Sequence, residues 1–196
     1  VRTTVAALAA LVTILTSPSL IGQEQAAMSP RNANYDIDVR LDHSARTLAG
    51  GATIRWRNIS NRPTAELQFH LYWNAWRNND STWLRERKLT GARDLRPESF
   101  GSIDIAALRV RASDGAWVDV KSRVQFIAPD DGNKDDRTVL RVPLDRPVPP
   151  GGAVEVGLEW TAKVPQAVAR TGYVGNYYFI AQWFPKLGVL EDDGWN

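Results

Sequence analysis

Cysteine is absent from this chain, which excludes disulfides, a thiolate nucleophile and any Cys-ligated zinc site. Histidine is almost absent too, with His43 and His70 as the two occurrences. Each stands alone, whereas a metal site needs three or four converging ligands. Charge of one sign is missing: the formal net charge is +2, and Lys and Arg are scattered among Asp and Glu. That balance gives no basic face for nucleic acid and no electrostatic hold on a membrane surface. No H-E-x-x-H, Gly-rich phosphate loop, G-x-S-x-G or Cys–His pairing occurs, so the common signatures of metal, nucleotide and nucleophilic catalysis are missing from these residues. What is plentiful is tryptophan, 8 in 196 residues, a density that suits an all-β core or a binding surface.

The longest apolar run is Val5–Leu15, interrupted by Thr13, and it is too short to span a bilayer comfortably. Arg2 precedes it, Ser17-Pro18-Ser19 ends it, and small and polar residues follow to Ala27. This is the layout of a secretory signal peptide, with cleavage expected after Gly22 or Ala26. Residues 1–27 are therefore read as signal peptide and linker, and the mature protein as exported, periplasmic or extracellular, with no membrane span. No Cys follows the run, so a lipoprotein anchor is excluded. Residues 28–196 form the remaining domain.

From Asn34 onward the apolar period is two. Tyr35, Ile37, Val39 and Leu41 alternate with Asp36, Asp38, Arg40 and Asp42, the pattern of a half-buried strand. After a turn at His43–Arg46, Leu48, Ala52, Ile54 and Trp56 mark a second strand, in which Gly50-Gly51 predicts a bulge. Further strands are expected at Leu67–Leu71, Ser102–Val110, Trp117–Val120, Val124–Ile127, Thr138–Leu144, Val154–Trp160 and Tyr177–Phe184. Helical periodicity is weak beyond the signal region. Short strands at regular spacing with turn residues between them predict an all-β, antiparallel β-sandwich.

Candidate chemistry is sparse. Asp130, Asp131, Asn133, Asp135 and Asp136 resemble a calcium loop in composition. Gly132 comes too early and no Glu closes it, so the segment reads as a solvated hairpin loop. Asn58-Ile59-Ser60 and Asn79-Asp80-Ser81 fit the glycosylation sequon, a tripeptide common by chance. Trp73, Trp76 and Trp83 leave a strand and enter an Asn-rich loop. They fit either a contact surface or a cap over one open end of the sandwich.

An ordered set of segments carries a family resemblance. Tyr35–Asp42, Leu48–Gly50 and Thr53–Asn58 resemble the opening hairpin of the M1 family of zinc metallopeptidases, the aminopeptidase N-like enzymes. Leu67–Trp76 resembles the next strand in a bacterial, secreted branch. Gly151-Gly152, Arg170-Thr171-Gly172 and Tyr178–Pro185 match the end of that family's N-terminal domain. The resemblance runs from residue 34 to residue 196. It implies a saddle-like β-sandwich beside a thermolysin-like catalytic domain that follows in cis. That domain would carry the zinc ligands, H-E-x-x-H and a distant Glu, together with the G-x-M-E-N motif. None of these motifs lies in this sequence, so no catalytic or zinc-binding residue is assigned, and the stretch is expected to be inactive alone, an N-terminal portion whose C-terminal edge is incomplete. One binding residue carries over: Gln182, which the family presents from its last strand toward the amino terminus of a peptide substrate. The pattern after Pro185 departs from better-known members, which leaves Trp183 without an implied role. The competing expectation is a stand-alone secreted β-sandwich binding module for carbohydrate or protein, stacking its ligand on Trp73, Trp76 and Trp83.

Overall fold

The alternating segments do form strands, and their apolar faces meet in one core, except that Val39 and Leu41 at the far end of the first strand are exposed. The computed structural model describes residues 31–196; the predicted signal peptide lies outside the described residues. Two antiparallel sheets pack as a sandwich. The first contains β1 (Ala33–Asp42), β2 (Thr47–Arg57), β4 (Ser102–Arg111), β5 (Trp117–Asp119) and β8 (Ala153–Lys163), in the order β1-β2-β8-β4-β5. The second contains β3 (Thr64–His70), β6 (Gln125–Ile127), β7 (Val139–Val148) and β11 (Lys186–Leu187), in the order β11-β3-β7-β6. A separate hairpin joins β9 (Gly172–Val174) to β10 (Tyr177–Phe179).

Side-chain alternation explains the layering. In β8, Val156, Leu158, Trp160 and Ala162 are buried while Glu159, Thr161 and Lys163 face solvent. Opposite them, Leu67 and Phe69 of β3 and Leu140 and Val142 of β7 are buried in the same apolar cluster. At about 25 cal/mol per Å² of apolar surface removed from water, this shared interior is the main stabilising term.

Two register features matter for the sites described below. The glycine pair in β2 is not a bulge: pairing with β1 and β8 runs unbroken through Gly50 and Gly51. Gly50 is there because the Trp160 indole lies across it, and a Cβ would stand 2.4 Å from Trp160 Cζ2. Register shifts occur between β4 and β8, at Ile105 and Ala107, and, over a longer stretch, between β3 and β7. Thr64 pairs with Val148 and Glu66 with Pro143, so Leu144–Pro147 stand opposite Ala65 alone and are pushed out of register.

Three further expectations need correction. A helix, α1 (Thr82–Leu89), follows the Trp-rich segment, N-capped by Ser81. Apolar periodicity does not reveal it, because Leu84 is its one buried residue. The acidic loop is not simply solvated, since Asn133 and Asp136 are buried. Asp136 Oδ2 accepts the Thr82 N–H at 3.1 Å, and Asp131 accepts the Thr82 hydroxyl at 2.7 Å. The carboxylates thus sit at the helix's positive end, where the macrodipole favours them. Finally, Tyr177–Phe184 is not one strand: β10 ends at Phe179 and β11 begins at Lys186.

Candidate functional site

Between the end of β8 and the start of β11 lie three of the four non-glycine residues at positive φ among the described residues, Ala167, Ala169 and Gln182. Beyond β8 the chain turns through Ala167 and Ala169, both at positive φ, to the buried Thr171. Gly172 follows at φ 133, where a Cβ would lie 2.4 Å from Ala167 N, so no other residue fits. The β9–β10 hairpin then projects outward and is clamped at its base. The Arg46 guanidinium lies 4.5 Å from the Tyr173 ring centroid and 5.3 Å from that of Tyr178, and it also donates to the Tyr178 hydroxyl.

The following segment is fixed from several directions. The Thr171 hydroxyl donates to Phe179 O and accepts from Ala181 N, both at 3.1 Å. The Trp73 indole N–H donates to Ala181 O at 2.8 Å. Trp183 lies 6.1 Å from Trp160, ring centre to ring centre, and packs edge-on to Phe184, which in turn packs edge-on to Tyr35. The Tyr35 hydroxyl accepts the Leu187 N–H at 2.9 Å; burial raises the pKa of that hydroxyl, with the Leu187 hydrogen bond acting against the rise.

Gln182 sits within this frame, exposed and at φ 53. Left-handed backbone costs an L-residue roughly 1–2 kcal/mol, and such strain persists where the surroundings impose it. Here the surroundings are the two hydrogen bonds to Ala181 and the aromatic packing of Trp183. The expected strand register therefore does not aim this side chain. A pinned, left-handed kink does, and it turns an amide with both donor and acceptor capacity out toward solvent.

The tryptophans divide differently from the expectation for a stacking platform. Trp73 is 0% and Trp76 8% exposed. Trp83 is half-buried, edge-on to Trp76, with the Arg87 guanidinium over its ring. They cap the sandwich, and Trp73 also holds the Gln182 segment, a role that spacing does not reveal. Exposed apolar residues cluster instead on the hairpin, where Tyr177 is 69%, Val174 66% and Phe179 55% exposed.

Neither histidine stands within a cluster of potential metal ligands among the described residues. His70 is half-buried and stacked on Tyr72. Burial lowers its pKa, Asp130 raises it and Lys186 lowers it further. His43 is exposed in the β1–β2 turn. Among the described residues no group of three or more His, Cys, Asp or Glu is placed to hold a metal ion, so these residues do not fit a zinc site. Both sequon asparagines are engaged: the Asn58 amide is buried and Asn79 exchanges two hydrogen bonds with Leu95.

No protein-family model matches the sequence, and no curated protein matches it. Among solved structures, the chain is distantly similar to the CBM3a-L domain with flanking linkers from scaffoldin cipA of the cellulosome of Clostridium thermocellum. The two share 9% identity and a TM-score of 0.33 over 76% of this chain and 80% of that one.

Proposed function

We propose that this chain is the N-terminal β-sandwich of an exported M1-type zinc metallopeptidase, an aminopeptidase acting on peptide amino termini, and that it supplies a platform and one wall of the substrate pocket. The observation that carries the reading is Gln182, held at positive φ between anchored neighbours and displayed to solvent. Its amide oxygen would accept a hydrogen bond from the substrate's terminal ammonium and fix that end for reaction. The exposed apolar hairpin of Val174, Tyr177 and Phe179 leads into the same segment and suits a neighbouring domain in cis. The zinc and its chemistry belong, in this reading, to residues beyond the sequence described.

The test has two parts. The coding sequence beyond Asn196 is expected to contain H-E-x-x-H. In the complete protein, Gln182→Ala should lower kcat/KM on aminoacyl-arylamides by about 1–3 kcal/mol of transition-state binding without lowering stability. A stop directly after Asn196 in intact genomic DNA would overturn the peptidase reading, and unchanged kinetics would remove Gln182 from the pocket.

A second reading, a secreted binding module, is favoured by one observation, the exposure of Tyr177 and Phe179. It requires ligand stacking on those two rings, because Trp73 and Trp76 are enclosed. Oligosaccharide binding lost on Tyr177→Ala and Phe179→Ala would support it over the first.

A further inference from the structure

The sandwich is closed by Trp73 and Trp76 near the end that bears Gln182. Toward the opposite end Trp195 covers the start of β3, bonding Thr64 and packing on Trp56, but beside it, where β8 starts and β4 ends, the sheets part. Between the sheets there lies a cleft of about 810 Å³, within the range of small-molecule sites. Its cause is the irregularity in β7. Leu144, Asp145, Arg146 and Pro147, displaced from pairing with β3, form one wall. Pro143 and Pro147 lack the N–H that regular pairing would use, so the strand is built to part from its neighbour there.

The chemistry of the cleft is two-sided. Val110, Val120, Leu144, Val148 and Val154 line its interior. Arg55, Arg111, Arg123 and Arg146 also line it, with Asp114, Asp145 and Glu155 as the acidic members. Most of these charges are already paired. Glu155 takes Arg111 at 2.7 Å and Arg55 at 3.6 Å, and Asp145 takes Arg123. Asp114 accepts the Ala116 N–H within its own turn. Arg146 reaches a hydroxyl, that of Ser113 at 3.4 Å, and among the described residues it has no carboxylate partner. Four guanidiniums thus face three carboxylates around an apolar interior, which leaves one positive charge and a planar pair of donors at the mouth.

We infer that this cleft binds a monoanionic amphiphile, a free long-chain carboxylate whose aliphatic tail lies between the sheets and whose head pairs with Arg146. Tail burial supplies the affinity, since each methylene withdrawn from water is worth about 0.8 kcal/mol. The guanidinium supplies head-group selectivity, because a fork of N–H donors matches a carboxylate and offers a neutral or cationic head no comparable partner. The site is remote from Gln182 and independent of the peptidase reading.

Isothermal titration of this chain with dodecanoate, below its micelle concentration, is expected to show saturable one-to-one binding. Dodecanol should bind at least about tenfold more weakly, and dodecyltrimethylammonium should be weaker still. Arg146→Ala should weaken dodecanoate about tenfold while leaving dodecanol unchanged. Val154→Glu, at the half-buried wall, should abolish both, with circular dichroism and thermal melting confirming the fold. Should that variant unfold, Leu144→Gln serves the same purpose at the displaced segment. Equal affinity for the acid and the alcohol, an unaffected Arg146→Ala, or no saturable binding would each overturn the assignment. Preference for an apolar peptide with a free C-terminus over dodecanoate would overturn it as well.

Discussion

Replacing Gly50 by alanine adds a single methyl group and should cost far more than such a change usually does. In a strand interior, alanine is ordinarily favoured over glycine by about 0.5–1 kcal/mol, because glycine loses more backbone entropy on folding. Here the added carbon would stand 2.4, 2.7 and 2.8 Å from Cζ2, Cε2 and Cη2 of Trp160, against about 3.5–4.0 Å for unstrained carbon contact. The closest approach falls short of that contact by about 1 Å, and the indole has nowhere to go: Trp160 is 1% exposed and packs against Trp183. Overpacking of this kind costs about 1–3 kcal/mol. The upper end applies because the obstacle is a rigid ring, so repulsion outweighs the entropic gain and the net loss is about 2 kcal/mol. Urea unfolding followed by far-ultraviolet circular dichroism would measure it. In a Trp160→Leu background the obstruction is gone, and Gly50→Ala should become neutral or slightly stabilising. A coupling energy of about 2 kcal/mol would then appear in the double-mutant cycle. A Gly50→Ala variant as stable as the parent, or a penalty that persists in the Trp160→Leu background, would refute the packing argument.

Asn58 is fully buried and uses its amide four times, donating to Arg62 O and Val148 O and accepting from the Ser60 N–H and hydroxyl; Asn58→Ala should therefore cost about 2–4 kcal/mol in denaturant unfolding. At Gln182, the glycine variant should be more stable than the alanine variant by about 1 kcal/mol, because alanine keeps the left-handed penalty and glycine does not; the reverse order would show that the kink is relaxed in solution. His70 has its pKa lowered by burial, so between that value and the ordinary value of about 6.5 the unfolded chain takes up a proton that the folded chain does not. Stability should accordingly be level above pH 6.5 on this account and fall as pH drops through that window. His70→Gln should flatten the slope there, leaving the acid loss from Asp42, Asp131 and Asp145, whose pKa values are lowered, to appear below about pH 4. On the hairpin, Tyr177→Ser with Phe179→Ser should leave the stability of this chain unchanged, since both rings are mostly in solvent, and a large loss would mean that they are covered.

Strand positions are legible in the sequence wherever one face is dry and the other wet. β2 and β8 alternate cleanly because each has one face on the core, and the period of two follows directly; in β1 the alternation outruns the core, since Val39 and Leu41 are exposed. Tyr177–Phe184 misleads for the opposite reason. It is a nearly unbroken apolar run, and such a run fits a buried strand as well as it fits separate residues each packed against something different. Tyr178 meets Arg46, Trp183 meets Trp160, and Phe184 meets Tyr35; for Tyr178 and Phe184 these partners lie far away in sequence, where no local pattern contains them. Gln182 is reached through resemblance, and the strand register that would aim it outward does not exist. The residues that aim it, Trp73 and Thr171, carry no sequence signal of doing so. The helix at Thr82–Leu89 is hard to read because its N-terminal support comes from Asp131 and Asp136 on another loop. The opening in β7 does leave a trace in Pro143 and Pro147, since proline inside an apparent strand signals an edge or a bulge.

The two ends of the sandwich deal with an open core in different ways, and the difference separates structural aromatics from displayed groups. An antiparallel sandwich is open where strands stop, and apolar side chains there must be covered or left to a ligand. Near the Gln182 end the cover is made of Trp73 and Trp76 with Trp183, all packed onto the core, and the hydrogen bond from the Trp73 indole to Ala181 O converts that cover into a mount. At the other end Trp56 and Trp195 pack on each other beside the start of β3, but no aromatic ring lines the cleft itself, and the valines of its wall are bordered by guanidiniums. A cover that is also a mount can hold a strained residue such as Gln182, because the packing energy of several buried rings far exceeds a left-handed penalty of roughly 1–2 kcal/mol. A cleft without a ring over it has no such support and is suited to taking up a partner. The rigidity needed for recognition is thus concentrated at Gln182, and the cleft beside Arg146 sets an apolar lining next to an uncompensated guanidinium.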